Sequence, residues 1–114
     1  MAKKKKLTVE SETRRLNRIF SSLGSNEKAV AQGLIVEAAR LRVRLDQLWE
    51  NIQEKGETEL FTQSEKTAPY ERERPQARLY STTNKNYQSC IKQLVEMCPE
   101  TVDKKSKLAE LMND

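Results

Sequence analysis

Residues 31–52 read AQGLIVEAARLRVRLDQLWENI. Within that stretch Ala31, Leu34, Ala38, Leu41, Leu45, Leu48 and Ile52 step by 3, 4, 3, 4, 3 and 4, the apolar seam of one helix laid along another. A strand would alternate every two residues, and this run does not. The pattern stops at Gly56, directly after Lys55, with glycine as the usual helix stop and a cation at the negative end of the dipole. Upstream, the Ser25 hydroxyl is placed to cap the first turn, and Glu27 suits its positive end. A helix over 26–55 would span roughly 45 Å at 1.5 Å per residue. Val30, Ile35 and Trp49 broaden the seam, which predicts more than one packing neighbour.

A second seam follows the same rule. Ala77, Tyr80, Asn84, Tyr87, Ile91, Leu94 and Cys98 repeat the steps 3, 4, 3, 4, 3 and 4. Pro75 suits the first turn of that helix and Pro99 closes it. Two seams of equal length predict an all-α fold built on a long antiparallel hairpin, about 26–55 and 75–98. Asn84 is the one polar residue in its row: it either fixes the register or sits at the wet edge of a partial seam. Between 57 and 74 the helical period is lost, and Thr-Ala-Pro-Tyr at 67–70 opposes helix. A connecting loop is expected there, with a short extended piece around Thr58 to Thr62.

Two short helices complete the expected fold. Leu16, Ile19, Phe20 and Leu23 fall on one face of a helix from about Thr8 to Leu23, and Gly24 sits where a C-cap glycine belongs. Val102, Leu108, Leu111 and Met112 suffice for a short helix within 101–112, whose small apolar face needs a partner. The chain thus divides into a disordered basic arm at 1–7, a helical domain at 8–99 and a helical tail at 100–114.

Composition agrees with an elongated helical protein. The 114 residues are 36% hydrophobic and 33% charged, against about 45 to 50% and 25% in average domains. With 3 glycines and 3 prolines there is too little turn chemistry for a sandwich or barrel. No apolar run approaches the length of a membrane span and the start is lysine-rich rather than apolar, so no membrane association and a cytosolic location are expected. Cys90 and Cys98 are eight residues apart in one expected helix, too far to join, and read as small apolar residues.

The reactive inventory is short. There is no histidine, which excludes a histidine-dependent triad and a histidine-ligated metal. The cysteines lack a C-x-x-C spacing, and Gly24, Gly33 and Gly56 are isolated rather than forming a phosphate loop. The pairs Glu57 with Glu59 and Glu71 with Glu73 read as solvated carboxylates. No catalysis and no cofactor are expected.

Charge points to a binding role. Residues 1–44 carry 11 Lys and Arg against 4 Glu, a balance of +7, and residues 45–114 carry 10 against 13 acids, a balance of −3. Lys3, Lys4, Lys5 and Lys6, followed by Arg14, Arg15 and Arg18, place positive charge beside an amphipathic helix, an arrangement suited to phosphate backbones without sequence reading. Arg40, Arg42 and Arg44 are less persuasive, because Glu37 and Asp46 lie within helix-neighbour spacing of two of them. Arg78, Lys85 and Lys92 form a stripe at intervals of seven and read as a solvated flank. Core and oligomer contacts are expected from Leu34, Leu41, Leu45, Leu48, Trp49, Ile52, Tyr80, Tyr87, Ile91 and Leu94.

The order of these features resembles a family. A leading helix ends in Leu-Gly at 23–24, and a long helix contains Gly-Leu-Ile-Val-Glu-Ala-Ala-Arg-Leu at 33–41 and Ile-Gln-Glu-Lys-Gly at 52–56. After a polar loop, Arg-Pro-Gln-Ala-Arg-Leu-Tyr at 74–80 opens a helix ending Lys-Gln-Leu-Val-Glu-Met-Cys-Pro at 92–99. That order, over about residues 14–99, is similar to the helical-hairpin small terminase subunits of tailed bacteriophages. Glu-Met-Cys at 96–98 stands where that family often has Leu-Gly-Leu. The resemblance implies a ring-forming homo-oligomer in the host cell cytoplasm. Such a subunit binds viral double-stranded DNA and hands it to the large terminase subunit, which does the chemistry. The alternative from the residues alone is a coiled-coil adaptor or regulator that binds another protein and carries its lysines for solubility. A helix-turn-helix repressor fits less well, because the helix after Gly24 is too long unless it breaks near Gly33.

Overall fold

The computed structural model describes residues 6–98 and 104–113. Four helices and one two-stranded ribbon follow in the order α1 (Val9–Ile19), α2 (Ser25–Lys55), β1 (Thr58–Phe61), β2 (Tyr70–Glu73), α3 (Pro75–Met97) and α4 (Lys104–Asn113). The molecule is elongated, 64 × 36 × 23 Å.

Helix α1 begins at a capping box. Thr8 Oγ1 accepts from the Ser11 N–H at 3.1 Å, and Ser11 Oγ accepts from the Thr8 N–H at 3.2 Å, which satisfies two of the orphan donors of the first turn. The helix stops at Ile19, with Phe20 as its cap, a turn earlier than the periodicity suggests. Leu16, Ile19, Phe20 and Leu23 are nevertheless all buried. Gly24 turns out to be the N-cap of α2 rather than a C-cap, in extended backbone, and Ser25 is the first helical residue rather than the cap. At the other end Gly56 takes φ +84°, and its N–H donates to the Ile52 carbonyl at 2.7 Å. That left-handed stop is the one glycine suits.

The hairpin is present as expected. Ala31, Ala38, Leu45, Leu48 and Ile52 of α2 and Ala77, Ile91, Leu94 and Cys98 on the α3 side are buried, while Leu34, Leu41, Tyr80 and Tyr87 are half-buried at the margins. Trp49 meets Tyr80 across the pair at 5.7 Å between ring centroids. Asn84 is half-buried, which places it at the wet edge of the seam. Of the three residues expected to widen the seam only Ile35 is buried. Val30 is 69% and Trp49 46% exposed. Helix α3 ends with Cys98 at φ −65°, ψ 140°, the extended backbone required of a residue preceding proline. Pro99 itself lies outside the described residues.

The segment 57–74 holds the extended piece expected around Thr58 to Thr62, as β1, and corrects the rest of the expected loop by adding a second strand. It forms an antiparallel ribbon pairing Thr58 with Glu73, Glu59 with Arg72, Leu60 with Glu71 and Phe61 with Tyr70. One face carries all of its cross-strand chemistry: Phe61 and Tyr70 meet edge to face at 5.9 Å, the Arg72 guanidinium lies 3.6 Å from the Phe61 ring centroid, and Arg72 pairs with Glu59 at 3.1 Å. Such cross-strand pairs stabilise a ribbon by roughly 0.2 to 1 kcal/mol each. Leu60, on the other face, is 73% exposed.

Packing is uneven along the long axis. One end is a body in which α1, the first half of α2, the last half of α3 and α4 share a core centred on Leu16, Phe20, Ala38, Ala39 and Leu94. The other end is a stalk of two helices closed only by the ribbon. At the junction of stalk and ribbon, the buried Arg74 donates to the Gly56 carbonyl at 2.6 Å and to Asn51 Oδ1 at 2.7 Å, which ties the end of α2 to the start of α3.

Candidate nucleic-acid interface

The basic residues expected to meet a polyanion do not behave alike. Lys3, Lys4 and Lys5 lie outside the described residues. Lys6 is exposed, and Arg14 and Arg18 are exposed on α1 one helical turn apart. Lys6 lies ahead of the helix, and the exposed Glu10 stands one turn before Arg14 on the same face.

Arg15 departs from that expectation. It is only 16% exposed at its side chain and donates to both carboxylate oxygens of Glu12, at 3.0 and 3.1 Å. A second guanidinium nitrogen donates to the Leu111 carbonyl of α4, so the residue caps that helix's last turn instead of facing solvent. The reason is Glu12, which is 2% exposed. A buried carboxylate must be paired and hydrogen-bonded to be tolerated, and the nearest arginine on the same helix face supplies this. Tyr87 of α3 joins the group. Burial first, and the Glu12 charge second, raise its phenol above the ordinary 10.0, while Arg42 and an Arg15 hydrogen bond pull the other way.

The other cations sort as their spacing suggests. Arg40 stands 3.8 Å from Glu37 and Arg42 3.8 Å from Asp46, all largely exposed, and such pairs contribute little. Arg78 pairs with Glu73 at 3.3 Å, and Lys85 and Lys92 are exposed. Of the acidic pairs, Glu59 and Glu73 are engaged by arginines. Both cysteines are buried and neither is in a disulfide, and burial followed by the Glu37 charge raises the Cys90 thiol.

Two surface grooves accompany these charges. One, of about 520 Å³, follows α2 beyond the start of α1 and includes Lys6, Leu7, Val43, Trp49 and Glu50. The other, of about 560 Å³, includes Arg72, Pro75, Arg78, Leu79 and Thr82 on the outer side of α3. Neither gathers the residues of a reactive centre. Among the described residues no cluster of three or more His, Cys, Asp or Glu could hold a metal ion, and no helix is long and apolar enough to cross a membrane.

Sequence reasoning missed Glu12 and Arg74. Glu12 reads as an ordinary first-turn acid, and only its spacing from Leu16 and Ile19 hinted that it shares their face. Arg74 reads as one charge among several in ERERP at 71–75. Its position directly before the helix-starting Pro75 was the available signal. Comparison with protein-family models, with curated proteins and with solved structures finds no match.

Proposed function

We propose that this chain is a non-catalytic DNA-binding subunit of the small terminase kind. In that role it is a homo-oligomer that grips double-stranded viral DNA and regulates a large terminase subunit during genome packaging. The observation carrying the reading is the pair Arg14 and Arg18, exposed one turn apart on α1, with exposed Lys6 ahead of the helix and Lys3, Lys4 and Lys5 preceding it in sequence. A line of cations on one helix face tracks phosphates by charge and leaves bases unread. The order of helices and stops that resembles the terminase family supports the same role. Leu108 and Met112, 45% and 85% exposed on α4, give the large subunit an apolar contact on the body.

A salt titration of binding to duplex DNA tests the reading. Affinity should fall as a power of salt concentration, with each neutralised phosphate adding about 0.9 to the slope. Replacing Arg14 and Arg18 by Gln, together with deletion of residues 1–6, should reduce that slope by several units. Wild-type protein that fails to retain duplex at low salt would refute the proposal. An unchanged slope in the variant would favour the adaptor, for which the groove beside the exposed Trp49 is the supporting feature.

A further inference from the structure

Each strand of the ribbon has one partner strand, so among the described residues each also has an open edge. The Arg74 N–H donates to the Glu57 carbonyl at 2.8 Å, directly across the ladder that pairs Thr58 with Glu73. Hydrogen-bonded and non-bonded positions alternate along an antiparallel pair. Glu59 and Phe61 therefore turn their backbone groups to β2, and Thr58 and Leu60 turn theirs outward. By the same count the outward positions of β2 are Glu71 and Glu73. All four outward residues are exposed, and Leu60, at 73%, sets a bare aliphatic side chain on the open edge of β1. An open edge is a template for another strand, and a two-stranded ribbon alone is marginal in water.

We infer that β1 of one copy pairs with β1 of a second copy, antiparallel about a two-fold axis at Leu60, to make one four-stranded sheet in the order β2-β1-β1-β2. The residues along the edges select both the occupant and the register. Centred on Leu60, the contact sets Leu60 against Leu60 and Glu59 beside Phe61 of the second copy, while each Glu59 keeps the Arg72 of its own chain at 3.1 Å. Centred on Thr58, it would set Glu57 opposite Glu59. A β2 edge laid on a β2 edge would oppose Glu71 or Glu73 to its own copy, and like charges directly opposite destabilise a pair. A β1 edge laid on a β2 edge puts Leu60 against Glu71 or Glu73, which leaves it without an apolar partner. The Leu60 register avoids all of these, and the glutamates on the outer β2 edges oppose further growth of the sheet. This inference rests on the homo-oligomer in the function proposed above and adds one of its contacts.

Disulfide trapping and native mass measurement on the full chain test it. In a hydrogen-bonded pair the opposed Cα atoms stand about 5.5 Å apart, within disulfide reach. Under mild oxidation Leu60→Cys should give a covalent dimer of the 13.2 kDa chain, and Glu71→Cys, exposed on the other edge of the ribbon, should not. Leu60→Glu places carboxylates opposite each other and should weaken self-association about tenfold. Its circular dichroism should match the wild type, because Leu60 is a surface residue. If the wild type assembles while Leu60→Cys cross-links no better than Glu71→Cys, or while Leu60→Glu keeps the wild-type affinity, the β1 contact is refuted. The oligomer then stands on other surfaces, and the open edge is left to an extended peptide of another protein. A wild type that remains monomeric at tens of micromolar, with and without duplex DNA, refutes the oligomer and this contact together.

Discussion

Arg74 offers the sharpest test of how the hairpin is held closed. Its guanidinium is 7% exposed and makes two short hydrogen bonds, 2.6 Å to the Gly56 carbonyl and 2.7 Å to Asn51 Oδ1, with a weaker third to Gln76 at 3.4 Å. Hydrogen bonds from a charged donor contribute about 1.5 to 3 kcal/mol each. Gly56 is exposed, so in Arg74→Met water can satisfy its carbonyl and that bond is largely replaced. The Asn51 bond and part of the side-chain packing are lost, for an expected cost of about 2 to 3 kcal/mol. For a chain of this length that corresponds to a melting shift of roughly 8 to 12 °C at about 4 °C per kcal/mol. Circular dichroism melts at fixed protein concentration would read it, since assembly couples to stability. Arg74→Lys should fall between, because an ammonium cannot span both acceptors in one plane. The control is Arg78→Met, whose pair with Glu73 is 81% and 51% exposed and should change stability by no more than about 0.5 kcal/mol. An Arg74→Met protein as stable as the control would refute the idea that this residue closes the stalk.

Two further perturbations address the body. Arg15→Met leaves the buried Glu12 without its partner and should cost about 3 to 5 kcal/mol, whereas Glu12→Gln combined with Arg15→Met should recover much of that loss. Equal denaturation midpoints for the single and double variants would contradict the pairing. The raised Tyr87 pKa means the folded state holds that proton more tightly than the unfolded chain, whose value is 10.0. The stabilisation is therefore complete below pH 10 and is lost as pH rises through the folded value. Spectrophotometric titration should show a late phenol step belonging to Tyr87. Tyr87→Phe should remove that late step and blunt the alkaline loss of stability, and a wild type with three coincident titrations would count against it.

The helices were legible because their residues answer to one local rule. The steps of three and four in Ala31 to Ile52 and in Ala77 to Cys98 commit each segment to one buried face, and equal length then commits the two faces to each other. Of the ribbon only the first strand was legible, as an extended piece around Thr58 to Thr62, and its pairing with the second was not, for the opposite reason. Thr58 to Phe61 and Tyr70 to Glu73 show no clean alternation, and the connection at 62–69 has no glycine to announce a hairpin turn. What closes the ribbon is Arg72 reaching both Phe61 and Glu59, a contact between residues more than ten apart, to which a window of neighbouring residues is blind. The early end of α1 has a similar origin: the 3.6 periodicity runs on through Leu23, but the chain must turn to reach Gly24, and burial of Leu23 survives the change of backbone.

The charges show where a one-dimensional reading loses information. Arg14, Arg15 and Arg18 are alike as letters, and their roles separate only when α1 is rotated against α2 and α3. Helical spacing puts Glu12 on the face of Leu16 and Ile19, which turns that carboxylate inward. Arg15 is the arginine one turn along that can follow it, while Arg14 and Arg18, one turn apart, remain exposed to solvent. The buried acid thus decides which arginines of α1 stay at the surface.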